Sequence, residues 1–335
     1  MAPALALPVF AVSLVVTLAS AAFFARRLDS LGVHLGLPEA LLGLLTAFAA
    51  DAPEIVSALV ALIEGARGAS LGVLVGSNVF NLAAMIGLTA VLAGNVHIRR
   101  ESLLLEGSVG VLTTLAAAGL LYGIVPPYLA ALLLAAIIGP YVFLLVRGRG
   151  VAALELPLLP HRIVVGLGRA LGEHERRHLP WTEERESLRR TIALIPPAVM
   201  LVVVGSFGLV KAALALAAQW HASRVAIGVL VLAPLTSIPN AFTALRLGLA
   251  DRGSALVSET LNSNTINLAA GLVVPALFVS FAGLTSETRF DLVWLGVMTL
   301  ACLLLLTRRR GMGRPGGAAL IGLYLAFVIV ELTRL

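Results

Sequence analysis

Ten apolar stretches follow one another along the chain, at about residues 4–24, 37–63, 69–93, 103–121, 126–146, 191–216, 223–249, 256–282, 290–307 and 316–333. A helix that crosses a bilayer needs roughly 17–25 largely apolar residues, and each stretch meets that length. The breaks are charged or rich in Gly and Pro, as in "ARRLDS", "EGARG", "HIRRE", "YGIVPPY" and "TRRRGMGRPGG". Strands of a membrane barrel would alternate apolar and polar residues. These runs are continuously apolar, so the sequence predicts an all-α integral membrane protein with ten transmembrane helices. Composition agrees: the 335 residues are 59% hydrophobic and 13% charged, where soluble domains carry about a quarter charged residues.

The first stretch has the length of a signal peptide but lacks a basic segment before it, because Arg26 and Arg27 come after the apolar run. A retained span is therefore expected. Of the 24 basic residues, 19 fall in the loops after spans 1, 3, 5, 7 and 9. By the positive-inside rule both termini lie outside, and the long charged segment 147–190 is cytoplasmic, in a cell (inner) membrane. The net charge of +6 thus reads as membrane orientation and not as a nucleic-acid surface. The single cysteine, Cys302, excludes an internal disulfide, and its apolar setting predicts a packing role.

The chain is also duplicated. "GSNVFNLAA" near residue 77 matches "NSNTINLAA" near residue 263 at an offset of 186. At that offset Pro53 falls on Pro239, Ser57 on Thr243, Ser77 on Ser263, Asn78 on Asn264 and Asn81 on Asn267. Ten of the 35 positions from 50 to 84 are identical. Each half then holds five spans: 1–146 and 191–335, joined by the linker 147–190, with the matched hairpins at about 37–93 and 223–282. Five is odd, so the second half enters the membrane upside down. Inverted repeats with broken helices at the midplane are the usual build of secondary transporters.

Within span 2, "FAADAPEIVSALVA" places Asp51, Pro53 and Glu54 among apolar residues. Residues three apart on a helix bring their Cβ atoms within about 5–6 Å. Two carboxylates that close in low dielectric need a cation or proton between them. Pro53 lacks an N–H and leaves the carbonyl near residue 49 without its helical donor. Carboxylates and carbonyls are the ligands of Ca²⁺, which takes six to eight oxygens. Ser77 and Asn81 share a helix face, as do Ser263 and Asn267, and each face offers a hydroxyl and an amide oxygen. A mid-bilayer charge costs about 2.5–3.5 kcal/mol on insertion scales, so one is retained for a function or a partner. The simpler alternative is that Asp51 and Glu54 only cap a helix break.

"APE" followed by "GSNVFN", with a second copy downstream, resembles the two α-repeats of the sodium/calcium exchanger family. The resemblance implies ten helices in a 5+5 inverted arrangement and exchange of Ca²⁺ for Na⁺, or for H⁺ in related branches. It implies ion binding between broken helices 2 and 7 and the Ser/Asn faces of helices 3 and 8: Asp51, Glu54, Ser77, Asn81, Thr236, Ser237, Asn240, Ser263 and Asn267, with Glu259 a further possibility one turn before Ser263. Family members commonly carry T-S-L-P-E in both repeats. Here the copies read "AADAPE" and "LTSIPN", so Asp51 stands where a serine is expected and Asn240 where a glutamate is. The implied activity is a Ca²⁺ (divalent cation)/Na⁺ antiporter, the alternatives being divalent cation/H⁺ exchange or a passive cation channel. No cofactor is expected; the partners are inorganic cations and the lipid bilayer, with no nucleic acid.

The linker holds His174, Glu175 and His178 in an H-E-x-x-H pattern, which on a helix would hold zinc. Pro180 and the charged surroundings favour a solvated or membrane-surface helix, so the chain is not expected to be an enzyme. Glu106 is expected at the membrane interface, and Trp181, Trp220 and Trp294 as interfacial anchors near span ends.

Overall fold

The computed structural model describes residues 3–37, 39–147, 187–281, 285–308 and 311–334. It is helical almost throughout. The first half comprises α1 (Pro3–His34), α2 (Glu39–Ala50), α3 (Ala52–Ile63), α4 (Arg67–Asn81), α5 (Thr89–Ala93), α6 (Arg100–Leu121) and α7 (Pro127–Arg147). The second comprises α8 (Leu188–Trp220), α9 (Arg224–Ile227), α10 (Ala233–Thr236), α11 (Ile238–Leu249), α12 (Gly253–Leu268), α13 (Ser286–Leu306) and α14 (Arg314–Leu332). Adding 186 to the ends of α3 gives those of α11, and the same offset carries α1, α4, α6 and α7 onto α8, α12, α13 and α14 within a few residues. The repeat therefore extends through the whole bundle, well beyond the hairpins in which the sequence shows it.

Among the described residues seven helices are long and apolar enough to cross a membrane, and two bent pairs, α2–α3 and Arg224–Thr236 with α11, raise that to nine. The remaining expected span is α12, prolonged by a π turn (Ala269–Val273) and a short 3₁₀ turn (Pro275–Leu277). Its polar run from Ser258 to Asn267 keeps it out of the apolar class, although it corresponds by repeat to the apolar span Arg67–Ala93.

The two bends are equivalent. Asp51 sits at φ −80°, ψ −1° and Ser237 at φ −86°, ψ −1°, each just before a helix with proline near its N-terminus. The helices turn by 50° and 47°. Pro53 and Pro239 cause the breaks, because neither can donate to the preceding turn.

α1 and α8, of 32 and 33 residues, run antiparallel, with Gly205 and Gly208 against Thr17 and Ser13. α1 does not end at the first charges: it continues through Arg26 and Arg27 to His34, and Gly36 at φ +62° follows. Arg27 lies over the Phe23 ring at 4.5 Å, so the basic pair is accommodated on the helix itself. A two-residue antiparallel ladder, β1 (Asn95–Val96) with β2 (Met312–Gly313), joins the loops after spans 3 and 9. Gly253 packs against His97 beside it, which gathers basic-rich loops of both halves at one end. At the opposite end Arg224 donates to the Gly65 carbonyl at 3.4 Å and Lys211 lies 3.3 Å from Glu64.

α4 and the segment opening with α9 touch through a glycine seam at that second end. A Cβ on Gly228 would lie 2.6 Å from the Ala69 carbonyl and 3.0 Å from Gly72 Cα. The repeat equivalents of Gly72 and Gly228 are Ser258 and Leu42, so the other end has no such backbone approach. Gly228→Ala is expected to destabilise by about 1–3 kcal/mol or more, since the obstructing atoms are backbone. Gly139→Ala, which has open space around it, serves as the control in thermal melts of the detergent-solubilised protein.

Two expectations change. Glu106, expected at the interface, is turned inward on α6 and is 5% exposed. Trp294 is not an end anchor but lies within α13, with its ring centroid 5.3 Å from that of Phe290 and 6.1 Å from that of Phe327. Trp220 does stand exposed at the end of α8. Trp181, the H-E-x-x-H pattern and most of the linker lie outside the described residues.

Candidate functional site

Asp51 occupies the N-cap of α3, yet its side chain makes no capping bond. Its Oδ1 instead accepts hydrogen bonds from Ser263 Oγ at 2.6 Å and Asn240 Nδ2 at 2.7 Å. Glu54 Oε1 accepts from Ser237 Oγ at 2.8 Å. Both carboxylates of the first half are therefore bound by the second half, and capping does not explain them. Neither has an Arg or Lys ion-pair partner among the described residues. Both are fully buried.

α4 and α12 cross beside them. Asn78 Nδ2 donates to the Asn264 carbonyl at 3.0 Å, and Asn264 Nδ2 returns a bond to the Asn78 carbonyl at 3.1 Å. This reciprocal pair relates residues 186 apart and marks the pseudo-two-fold axis. Asn81 Nδ2 donates to Ser263 Oγ at 3.1 Å and to Asn264 Oδ1 at 3.2 Å; Asn267 Nδ2 donates to Asn78 Oδ1 at 3.2 Å. A chain of bonds thus runs from Asn81 through Ser263 to Asp51. Thr236 turns its hydroxyl back to the Leu232 carbonyl at 2.9 Å, so its proton serves its own helix.

The amide donors are used and the oxygens are left over. Asp51 Oδ2, Glu54 Oε2, Ser77 Oγ, Asn81 Oδ1, Asn240 Oδ1 and Asn267 Oδ1 are all buried and have no hydrogen-bond partner. Buried polar atoms are ordinarily satisfied. Six oxygens, two of them from carboxylates, on helices that meet at one crossing make a donor set suited to a hard cation. Glu259 is half-buried and within electrostatic reach of Asp51, but it takes no part in these bonds.

Asn78 and Asn264, absent from the residues expected at the site, hold the crossing in register. The signal was present, since both are identical members of S-N-x-x-N in the two copies. A second polar group was not legible. Ser258 Oγ lies 2.6 and 2.7 Å from the two oxygens of Glu106, and Tyr141 donates to Asn262 Oδ1 at 2.7 Å. Ser258 and Asn262 thus turn a different face of α12 to α6 and α7 from the one Ser263 turns to Asp51.

Two inverted halves of one helical repeat, proline-broken helices and an oxygen-lined crossing between them define the architecture of a secondary transporter. The family model for sodium/calcium exchanger proteins matches residues 5–147 and 191–333. The chain belongs to that family. Among curated proteins, "Putative antiporter CaxA" of Alkalimonas amylolytica is 30% identical over 84 residues, which span 25% of this chain and 26% of that relative's length. Among solved structures, the H⁺/Ca²⁺ exchanger CAX aligns over 98% of this chain and 87% of its own, with a TM-score of 0.69 and 14% identity. The sodium-calcium exchanger NCX_Mj aligns over 97% and 98%, with a TM-score of 0.57 and 19% identity. These likenesses are likenesses of fold.

Proposed function

We propose that this protein is a cation antiporter that exchanges Ca²⁺ for Na⁺ by alternating access, with Asp51 and Glu54 as the charged ligands. The observation that carries the reading is the set of unpartnered buried oxygens around two carboxylates, each already bonded across the repeat boundary. One Ca²⁺ or two Na⁺ would neutralise the pair, which is the condition for two ions to compete for one site. A doubly negative site without a cation is expensive to occlude from water. Conformational exchange is therefore favoured only when the site is loaded, and loading by either ion yields obligatory exchange. Ser263, Asn240 and Ser237 hold the carboxylates; Ser77, Asn81, Asn240 and Asn267 present neutral oxygens.

The glycine seam adds the conformational part. Two repeats of one fold pack closely at one end only, and an inverted pair can invert that asymmetry by exchanging the packing of its halves. By the positive-inside rule the seam lies at the outer end, and the loops joined by β1–β2 face the cytoplasm with the segment 147–190. Labelling of single cysteines placed at the exposed positions Arg67 and Arg308, in a Cys302→Ser background, checks that orientation in a cell membrane.

H⁺ is the second reading for the coupling ion. Asn240 replaces the second-repeat glutamate and spends its N–H on Asp51, so the site carries two carboxylates and can be neutralised by protons. Uptake of radiolabelled Ca²⁺ into proteoliposomes separates the cases. It is expected to require an outward Na⁺ gradient imposed at equal pH. Uptake driven by a pH gradient alone would assign H⁺ as the coupling ion. Uptake indifferent to every counter-ion would describe a channel and overturn the antiport reading.

A further inference from the structure

We propose that Asp291 and Glu331 hold one proton between them, forming an accessory proton-binding site at the ends of α13 and α14, apart from the cation site. Asp291 lies in the second turn of α13 and is 1% exposed; Glu331 lies in the last turn of α14 and is fully buried. Asp291 Oδ1 and Oδ2 and Glu331 Oε2 receive no hydrogen bond from any donor. The Asp291 carboxyl faces that of Glu331. Two carboxyl groups in contact without a donor between them do not both ionise, whereas one shared proton turns the contact into a hydrogen bond.

Arg334 offsets one of the two negative charges, and a shared proton offsets the other. Arg334 Nη1 lies 2.7 Å from Glu331 Oε1, with a side chain 27% exposed. One proton together with Arg334 makes the three-residue group neutral. Glu287, half-buried one turn earlier on α13, is the other charged group acting on Asp291; α4 and α6, which also pack on α13, add none to that set.

Packing does not require the acids. By the 186-residue offset their counterparts in the first half are Leu105 and Leu145, which belong to one apolar cluster with Val109 and Tyr141. The same helix contact is thus closed by two leucines in one half and by two carboxyls in the other.

The site also carries its own reporter. Trp294 is one turn from Asp291 and lies against Phe290 at a centroid distance of 5.3 Å; Arg334 stands 4.1 Å over the Phe290 ring. Loss of the proton leaves like charges in contact, shifts Arg334 and changes the field at the indole. α13 packs on α4, which carries Ser77 and Asn81.

The test is a pH titration of Trp294 emission in purified protein with Trp181→Phe and Trp220→Phe, without Ca²⁺. A single sigmoidal change is expected in this parent. It is expected to disappear in Asp291→Leu/Glu331→Leu, which copies the first half, and in Asp291→Asn, whose amide supplies a permanent donor. Should the double variant fail to elute as folded protein, Asp291→Asn decides. A flat parent curve, or an unchanged midpoint in a folded variant, overturns the proposal. The readout needs no transport, so its outcome is independent of which cation the protein exchanges.

Discussion

Glu54→Gln is expected to reduce Na⁺-dependent Ca²⁺ uptake by about 100-fold or more, corresponding to about 3 kcal/mol of lost cation binding. The substitution keeps the side-chain volume and the bond from Ser237 Oγ, which can still reach the amide oxygen in place of Oε1 at 2.8 Å. What it removes is one of two negative charges and replaces the unpartnered Oε2 with an N–H₂ that repels a metal ion. Asp51→Asn is expected to fall in the same range. Ser263→Ala and Asn240→Ala remove donors to Asp51 Oδ1, not ligand charge, and are expected to cost about 1.5–3 kcal/mol of that carboxylate's support at most. The order matters more than the absolute loss. If Ser263→Ala were as damaging as Glu54→Gln, the carboxylates would be scaffold for a hydroxyl relay. If Glu54→Gln transported as the parent does, Glu54 would have no part in binding.

The sequence carries the outline of this site because its determinants are local. Pro53 and Pro239 break helices through the absence of an N–H, and that absence is visible in one letter. Carboxylates in an apolar span are conspicuous for the same energetic reason that makes them functional. The 186-residue offset found in 35 positions extends over both halves, because helix lengths repeat even where side chains have diverged. What stayed hidden depends on the mutual rotation of helices. Glu106 lies near the start of an apolar run, and only helix rotation reveals that it is turned onto Ser258 of the other half. Asp291 and Glu331 are 40 residues apart in sequence and meet only when α13 and α14 pack. Thr236, which the motif places at the site, gives its hydroxyl proton to the Leu232 carbonyl, a bond that a single sequence does not show. Trp294, taken for an anchor, is packed among aromatic rings because α13 begins two turns before it, at Ser286.

The same geometry makes a demanding test of the divergence between the two halves. Asn240 Nδ2 donates to Asp51 Oδ1 at 2.7 Å, so Asn240→Glu exchanges a donor for an oxygen at a carboxylate. Like charges brought together in a desolvated setting cost several kcal/mol. In the absence of divalent cations the variant is therefore expected to melt well below the parent at alkaline pH, and progressively more so as the three acids lose their protons. Lowering the pH restores a proton between Asp51 and residue 240 and is expected to recover most of that loss, so its stability rises as pH falls. Ca²⁺ is expected to recover it at any pH, and by more than it stabilises the parent, because a third carboxylate adds both charge and an oxygen ligand. In transport, Na⁺ competition against Ca²⁺ is expected to become steeper, since three negative charges take one more monovalent ion to neutralise. Equal Ca²⁺-dependent shifts in Tm for parent and variant would show that residue 240 lies outside the coordination sphere. The site would then be confined to the first half's carboxylates and the Ser/Asn faces of α4 and α12.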